Sequence, residues 1–397
     1  MLKRALIFLA QAVDTITPGS SAISALWTFP SVIASAMLIA WAAEAAQFLI
    51  SQGLALAILA WLQTLPEFAV EGVIAWEAGK DPEKIHLVTA NFTGSLRLLI
   101  GLGWPMIFAT AAYFTRKRLG RALGHINLDE EHAIEVMALL PPILYFVFIW
   151  WKATLTIFDS IVLTIFYAAY LFVLNKIPPQ SAESEEDMER IPRAILALSP
   201  PKRSATIAGL FLAGGAILYF VAHPFLDSML GLAASLGVSQ FVFVQWVAPF
   251  LSEFPEKVSA FYWARKIHSA PMALMNMVSS NINQWTMLVA MLPVVFGASQ
   301  GEIAPIEFDE YQRREILLTL AQSLLGMILL ANMRFQWYEA LALFVLWLLQ
   351  FVFSELREEV TSAYLIWSAA EIFKLVARRR VRETAFNIFP RLIVKHW

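Results

Sequence analysis

Two acidic residues, each directly after a proline, stand inside apolar stretches of the chain. Glu67 follows Pro66 in the first stretch, and Glu256 follows Pro255 in the second. A carboxylate costs roughly 3 kcal/mol or more in a membrane interior, so it usually faces a cavity or a partner. A proline also kinks a helix and frees a backbone carbonyl one turn earlier. Carboxylate and carbonyl oxygens together suit Ca²⁺ and other hard cations.

Amide and hydroxyl side chains follow the two Pro-Glu pairs in the same order. Asn91 and Ser95 come after the first pair, and Asn276 and Ser280 come after the second. A single asparagine in a membrane helix more often joins helices by hydrogen bonds, but its recurrence after both pairs favours a site. The cation ligands that these residues predict are Glu67, Glu256, Asn91, Asn276, Ser95 and Ser280.

Four further charges crowd this predicted site by their spacing. Two are acidic, Glu71 and Glu253, and two are basic, Lys257 and Arg97. Coulomb attraction is strong where water is excluded, so a fixed Lys257 or Arg97 could stand in for one transported cation. Alternatively, both basic side chains pair with neighbouring acids, or Arg97 reaches the interface. The extra carboxyl groups would also permit proton coupling.

Composition indicates that membrane helices carry these residues. The chain has 397 residues, of which 59% are hydrophobic and 15% charged, and its mean hydropathy is +0.63. It is too apolar for an ordinary soluble protein. Cysteine is absent and the six histidines are scattered, which argues against a soft-metal site. Without a nucleotide-binding or protease motif, we expect no enzyme activity, no cofactor and no nucleic-acid partner, only inorganic cations and the lipid bilayer.

The hydrophobic pattern predicts an all-α polytopic membrane protein with two five-helix repeats. A helix needs about 20 apolar residues to cross a bilayer. Because each repeat has an odd number of spans, the second inserts with inverted topology, and the two Pro-Glu segments face each other. The predicted spans are 31–49, 53–77, 86–114, 132–152, 154–175, 205–226, 238–264, 269–298, 315–333 and 336–354.

The predicted domains follow this division. Residues 1–30 form an interfacial segment rather than a cleaved signal peptide, and residues 31–175 and 205–354 are the repeats. Residues 176–204 are an acidic, proline-bounded linker, and residues 355–397 are a basic helix and tail. Lys and Arg concentrate in the connections on the linker's side, which the positive-inside bias assigns to the cytoplasm. We expect the plasma membrane as the location.

The C-terminal region has two interpretations. The arginines within residues 378–382 would lie outside the cell if the chain crossed the membrane exactly ten times. Residues 360–377 are apolar apart from Glu371 and Lys374, so they form either an eleventh span or an amphipathic helix in the interface. The sequence slightly favours the interfacial helix.

The two motif regions resemble the Ca²⁺/cation antiporter superfamily, in particular sodium/calcium exchangers. The family pattern is Gly-Thr-Ser-Leu-Pro-Glu followed by Gly-Asn-x-x-Gly-Ser-Asn. It is answered by residues 64–67 with 91–95, and again by residues 252–256 with 276–281. The resemblance implies an electrogenic exchanger in which Glu67 and Glu256 bind Ca²⁺ centrally. It also implies that Thr64 and Ser252, the motif hydroxyls before each proline, are cation ligands, and that surrounding oxygens hold Na⁺ in turn. Sliding of the first span of each half would then alternate access.

Departures from the family pattern leave the ions open. Gln63 stands where the family has Thr, Glu253 where it has Ser, and Leu96 where it has Asn. The leading hypothesis is antiport of Ca²⁺, or a related cation, against Na⁺ or H⁺. The alternatives are a proton-coupled exchanger of another cation, or a non-transporting protein whose site is filled by Arg97 or Lys257.

Overall fold

The computed structural model describes residues 21–46, 61–176, 188–377 and 384–396. Most of the predicted N-terminal segment, the start of the second predicted span, the acidic run of the linker and the arginine cluster near the C-terminus lie outside the described residues.

Helices dominate the described chain. In the first half they are α1 (Ser21–Ala46), α2 (Leu65–Lys80), α3 (Ile85–Leu98), α4 (Trp104–Leu119), α5 (Ala133–Ala138), α6 (Leu140–Lys152) and α7 (Ile157–Lys176). The linker contributes α8 (Arg190–Leu196). In the second half they are α9 (Pro200–Leu236), α10 (Gln240–Ser252), α11 (Phe254–Ala264), α12 (Ala270–Asn283), α13 (Val289–Gln300), α14 (Glu310–Leu330), α15 (Trp337–Val352), α16 (Arg357–Ala377) and α17 (Ala385–His396).

Both Pro-Glu segments interrupt a helix at the same place. Residues 61–63 are helical, Thr64 is a turn residue, and α2 then begins. In the second half α10 ends, Glu253 is the turn residue, and α11 begins. Pro66 and Pro255 are each the second residue of the helix that follows, where a missing N–H is tolerated. The predicted kinks are therefore confirmed.

A second feature that recurs in both halves is a turn of π-helix. The segment Leu99–Gly103 joins α3 to α4, and Gln284–Leu288 joins α12 to α13. Each π-turn begins eight residues, or about two helical turns, after the asparagine of its own half, Asn91 or Asn276. A π-turn inserts one residue into the helix and is frequent at functional sites.

Two short antiparallel pairs tie the halves together at opposite ends of the molecule. Strand β1 (His125–Asn127) pairs with β4 (Arg334–Gln336), and β2 (Thr154–Leu155) pairs with β3 (Ile306–Glu307). Since α6 runs from the β1 end to β2, and α14 runs from β3 to β4, the pairs lie at opposite ends. Each pair joins a loop of one half to the non-equivalent loop of the other, which is the relation that inverted repeats require.

The first long helices of the two halves, α1 and α9, pack closely against each other. The Ser35 hydroxyl donates to the Gly214 carbonyl at 2.7 Å, and Thr28 bonds Ser228 at 2.8 Å. A Cβ atom at Gly214 would come within 2.8 Å of Ile39, so this crossing depends on glycine. Small and hydroxyl residues allow such close helix contact within a membrane.

Fewer helices than the ten predicted spans reach spanning length and apolarity by themselves. Within the described residues these are Ala22–Ala46, Pro82–Leu119, Glu130–Lys152, Ile157–Lys176, Pro200–Leu236 and Ala270–Gln300. The α10–α11 pair is divided at Glu253, which leaves α10 as a short apolar helix, and α15 is also shorter than a full span. Helices α14 and α16 carry buried charges at Glu315 and Arg357.

Helix α16 runs back through the bundle along α14. At its start Arg357 donates to the hydroxyl of Tyr311, in the first turn of α14, at 3.1 Å. Beyond its end, the Ala385 N–H donates to the carbonyl of Ala331, just past the last turn of α14, at 2.8 Å. Tyr364, midway along α16, is fully buried. Helix α16 of the C-terminal region therefore packs alongside α14 over the length of both helices.

Candidate ion-binding site

The first Pro-Glu segment brings two acidic side chains onto one amide. Asn91 on α3 donates its Nδ2 to Glu67 Oε1 at 2.9 Å and also to Glu71 Oε2, one turn along α2. The other oxygen of Glu67 accepts from the hydroxyl of Ser252 on α10. Glu67, Glu71 and Asn91 are completely buried. Residues of both halves therefore meet at Glu67.

The second interruption presents a different acid, Glu253. One carboxylate oxygen receives the Lys257 ammonium at 2.7 Å. The other accepts from the hydroxyl of Ser95 and from Nε2 of Gln284 at 2.8 Å. Ser95 belongs to the first half and Gln284 to the π-turn of the second, so this cluster also joins the halves.

Glu256 is the least satisfied of the four acids. Within the described residues neither of its carboxylate oxygens has a partner in hydrogen-bonding geometry, although the Ser280 hydroxyl lies close enough to interact with the carboxylate. Glu67 and Glu256 both lie within electrostatic range of Glu253 and Lys257. Four carboxyl groups thus share one buried region with one ammonium, which leaves three negative charges when all are ionised.

Asn276 contributes differently from its counterpart Asn91. Its Nδ2 donates to Gln63 Oε1 at 3.2 Å, and Thr64 accepts from Nδ2 of Asn283. Gln63 and Thr64 end the helical stretch before α2, so α12 of the second half packs its amides against the first interruption. The predicted ligands Thr64 and Asn276 are therefore buried at the junction of the halves.

Many oxygen atoms in this region lack a hydrogen-bond partner. Leaving a buried polar atom unpaired costs about 1–3 kcal/mol, so each needs an explanation such as a ligand. In the described part of the chain, the unpartnered oxygens around the interruptions are Glu71 Oε1, Asn91 Oδ1, Glu256 Oε1 and Oε2, Asn276 Oδ1, Ser280 Oγ, Asn281 Oδ1, Asn283 Oδ1 and Gln284 Oε1.

These oxygens do not form a ready-made metal cluster. No three acidic or histidine side chains among the described residues are already arranged to hold a metal ion. The coordination shell of a cation here would have to be completed by amide, hydroxyl and freed backbone oxygens, which are acceptable ligands for hard cations. Pro66 and Pro255 provide two such carbonyls, since neither can donate to the residue four positions earlier.

Arg97 lies outside this region, although the sequence places it two residues after Ser95. Its Nη2 contacts Glu315 Oε2 at 2.7 Å and its Nη1 donates to Gln350 at 2.8 Å. Among the described contacts of Arg97, none reaches Glu67 or Glu256. Of Arg97 and Lys257, the two basic residues predicted to occupy the site, only Lys257 contacts one of its acids.

Sequence reasoning missed several polar residues at or near the site. Asn283 and Gln284 continue the face of α12 that bears Asn276 and Ser280, at helical spacing, and this signal was available. The buried charge network of Glu315 and Arg357, with Gln245 and Gln350, comes from four separate helices. No local pattern connects those residues.

Comparison with solved structures supports the fold. The chain is similar to the solved structure of the H⁺/Ca²⁺ exchanger CAX, with 30% identity, 98% of this chain and 96% of that chain covered, and a TM-score of 0.86. It also resembles the sodium-calcium exchanger NCX_Mj, with 17% identity, 85% and 99% coverage and a TM-score of 0.53. Native YfkE is 16% identical, with 91% of this chain and 99% of that chain covered and a TM-score of 0.56. No curated protein matches the chain.

The comparison with protein families covers both halves. The family described as sodium/calcium exchanger protein matches residues 6–175 and 206–355, which include both Pro-Glu segments and the polar runs that follow them. The match stops before α16, the additional helix held by Arg357. The expected membership of the Ca²⁺/cation antiporter superfamily is thereby confirmed: the chain belongs to the sodium/calcium exchanger protein family.

Proposed function

We propose that this multi-pass membrane protein exchanges Ca²⁺ for H⁺ at the buried acids between its two halves. The observation that carries the proposal is the cluster of four carboxyl groups, Glu67, Glu71, Glu253 and Glu256, surrounded by oxygens without protein partners. Three uncompensated negative charges in a water-poor region require a cation or protons. Ca²⁺ enters as the transported substrate, and Glu67 and Glu256 are its central ligands.

The donor set supports Ca²⁺ over softer metals. Ca²⁺ takes six to eight oxygen ligands in flexible geometry, from carboxylates, amides and backbone carbonyls. The unpartnered oxygens of Asn91, Asn276 and Ser280 supply uncharged ligands next to the acids. Neither cysteine nor clustered histidine is present to attract a soft metal. A related hard cation is the alternative within the same class.

The distribution of charge supports H⁺ over Na⁺ as the coupling ion. Acidic groups can be neutralised by protons after Ca²⁺ leaves, whereas a Na⁺ site needs oxygens that are free of other cations. At Glu253, where the family has a serine, the carboxylate is already held by Lys257. The similarity to the solved structure of an H⁺/Ca²⁺ exchanger, at 30% identity, supports the same choice.

The packing of α1 and α9 is compatible with alternating access. These helices contact each other closely. Their apolar side chains, among them Val32 and Phe225, share the main hydrophobic core with the site-bearing helices, and polar contacts at the two ends add to this packing. His223 of α9 lies 3.3 Å from Glu77 of α2. At the other end Trp41 of α1 and Ser259 of α11 both donate to Glu189 of the linker, at 3.1 and 3.2 Å. We infer that this pair slides against the remaining helices, with the plasma membrane as the working location.

Transport in reconstituted vesicles tests the function. Purified protein in Na⁺-free vesicles should accumulate radiolabelled Ca²⁺ when a pH gradient is imposed, and Ca²⁺ addition should move protons in the opposite direction. Glu67→Gln and Glu256→Gln should each lower the initial rate at least about tenfold, because each removes a central ligand. Glu359→Gln, an exposed acid at the start of α16, is the matched control. Uptake that follows Na⁺ and ignores pH would refute H⁺ coupling.

A further inference from the structure

The side chain of Lys257 contacts an acid of the candidate site directly. It directly follows Glu256 on α11, and its side chain is 7% exposed. Its ammonium lies 2.7 Å from Glu253 Oε2, and its backbone N–H donates to the Glu253 carbonyl at 3.3 Å. The ammonium and the carboxylate are therefore fixed by both the side chain and the turn that begins α11.

The surroundings of Glu253 contain oxygens suited to a monovalent cation. Ser95 contributes a hydroxyl, and Gln284 lies against the carboxylate with its amide nitrogen at 2.8 Å. The amide oxygen of Gln284 is buried and has no hydrogen-bond partner among the described residues. If the ammonium were absent, Glu253 Oε2 would lose the cation it contacts, while Oε1 of the same buried carboxylate would still accept from Ser95 and Gln284.

We propose that the Lys257 ammonium is a tethered cation that takes the place of one Na⁺ beside the Ca²⁺ site. This inference rests on the proposed function and adds the residue that sets its ion selectivity. A Na⁺ ion entering next to Glu253 would meet a fixed positive charge at contact distance, in a region where Coulomb repulsion is weakly screened. The same charge leaves the other three acids to Ca²⁺ and protons. Arg97 has no part in this, because Glu315 holds it elsewhere.

Removal of the ammonium should create Na⁺ binding. Equilibrium binding of radiolabelled Na⁺ is measured on the purified full-length protein at constant pH, without a gradient. The native protein should show no saturable binding, whereas Lys257→Gln should bind about one Na⁺ per chain. In that variant Na⁺ should also compete with Ca²⁺. The absence of Na⁺ binding in folded Lys257→Gln protein, or saturable Na⁺ binding by the native protein, would overturn the proposal.

Two controls separate this effect from a general loss of a buried lysine. The double variant Glu253→Gln/Lys257→Gln should show no Na⁺ binding, because the carboxylate that would hold the ion is gone. Lys152→Gln removes the partner of Asp159, another buried acid paired with a lysine, and should not create Na⁺ binding. Na⁺ binding in either control would show that the site is not the one at Glu253.

A stability measurement covers the case in which Lys257→Gln is difficult to purify. A ligand that binds only the folded state raises the unfolding temperature. The unfolding temperature of the variant in membranes should therefore be higher in Na⁺ than in choline. The same unfolding temperature in Na⁺ and in choline would overturn the proposal. The function itself is judged separately: native protein without pH-driven Ca²⁺ uptake ends the H⁺/Ca²⁺ proposal, while the Na⁺ readout needs no transport.

Discussion

Asn91 holds two acidic side chains with a single amide group. Its Nδ2 donates to both Glu67 and Glu71, while its Oδ1 has no partner among the described residues. The nitrogen thus orients the acids, and the oxygen is left for an ion. Asn276 uses its nitrogen on Gln63 and likewise keeps an unpartnered oxygen. The nitrogens of the two asparagines therefore orient different side chains, whereas both amide oxygens are left for an ion.

Replacement of Asn91 by alanine should weaken Ca²⁺ binding by about 10- to 100-fold, as loss of a group that orients metal ligands does elsewhere. Both the shared donor and the free oxygen are lost, and Glu67 and Glu71 then repel each other without a bridge. Isothermal titration calorimetry on purified protein measures the change. Asn127→Ala, on the exposed side of β1, is the control. Unchanged affinity in Asn91→Ala would remove Asn91 from the site.

At the scale of elements, the charge network of Arg97, Glu315 and Arg357 fastens α16 to the bundle. Glu315 on α14 accepts from Arg97 Nη2 at 2.7 Å and from Arg357 Nη1. Gln245 of α10 donates to Glu315 at 2.9 Å and accepts from Arg357 at 3.1 Å. One acid between two arginines thus joins the additional helix to a helix that bears the site.

The network predicts an order of destabilisation. Glu315→Gln leaves two buried arginines without their acid and should cost about 3–5 kcal/mol of stability. Arg357→Met should cost less, because Arg97 and Glu315 remain paired. Thermal unfolding in detergent measures both variants. Arg314→Gln, which breaks the exposed contact with Glu358, should change stability by less than about 1 kcal/mol. A larger loss in Arg357→Met than in Glu315→Gln would contradict this account.

Some of these elements could be predicted from the sequence, and others could not. The interruptions at Thr64 and Glu253 were predictable because proline acts locally on its own helix. The course of α16 was not, since Arg357 and Glu315 are far apart in sequence and only folding pairs them. The π-turns escaped for a related reason: a single extra residue in a helix leaves no compositional mark. Gln284 was missed with the π-turn that positions it.

At the scale of the whole molecule, the two halves are joined by contacts that differ in kind. The strand pairs β1–β4 and β2–β3 join the halves by backbone pairing at opposite ends. The α1–α9 pair shares the hydrophobic core with the site-bearing helices. It is also linked to them by Glu189, whose carboxylate accepts from Trp41 and Ser259 and whose N–H donates to Glu44. Inverted repeats were predictable from an odd number of spans in each half. The role of the linker was not, because Glu189 is one acid in a run of similar residues.

The linker contact should depend on pH. Burial raises the pKa of Glu189, and the hydrogen bonds from Trp41 and Ser259 only partly oppose this. A carboxyl group with a raised pKa in the docked state favours docking while it is protonated. Docking of α8 on α1 and α11 is therefore strongest at pH values below the ordinary glutamate pKa, and it weakens as pH rises through the raised value.

Hydrogen exchange of the backbone amides in residues 188–196 measures this docking. Protection should fall as pH rises, after correction for the intrinsic exchange rate. Glu189→Gln should reduce this pH dependence, because an amide cannot ionise, while the Glu44 carboxylate that accepts from the N–H of residue 189 remains. Glu302→Gln, an exposed acid in the loop before β3, should leave the native pH dependence intact. Since Trp41 lies on α1 and Ser259 on α11, loss of this contact at high pH removes one polar link between these two helices. A pH-independent native protein would show that Glu189 does not control the contact.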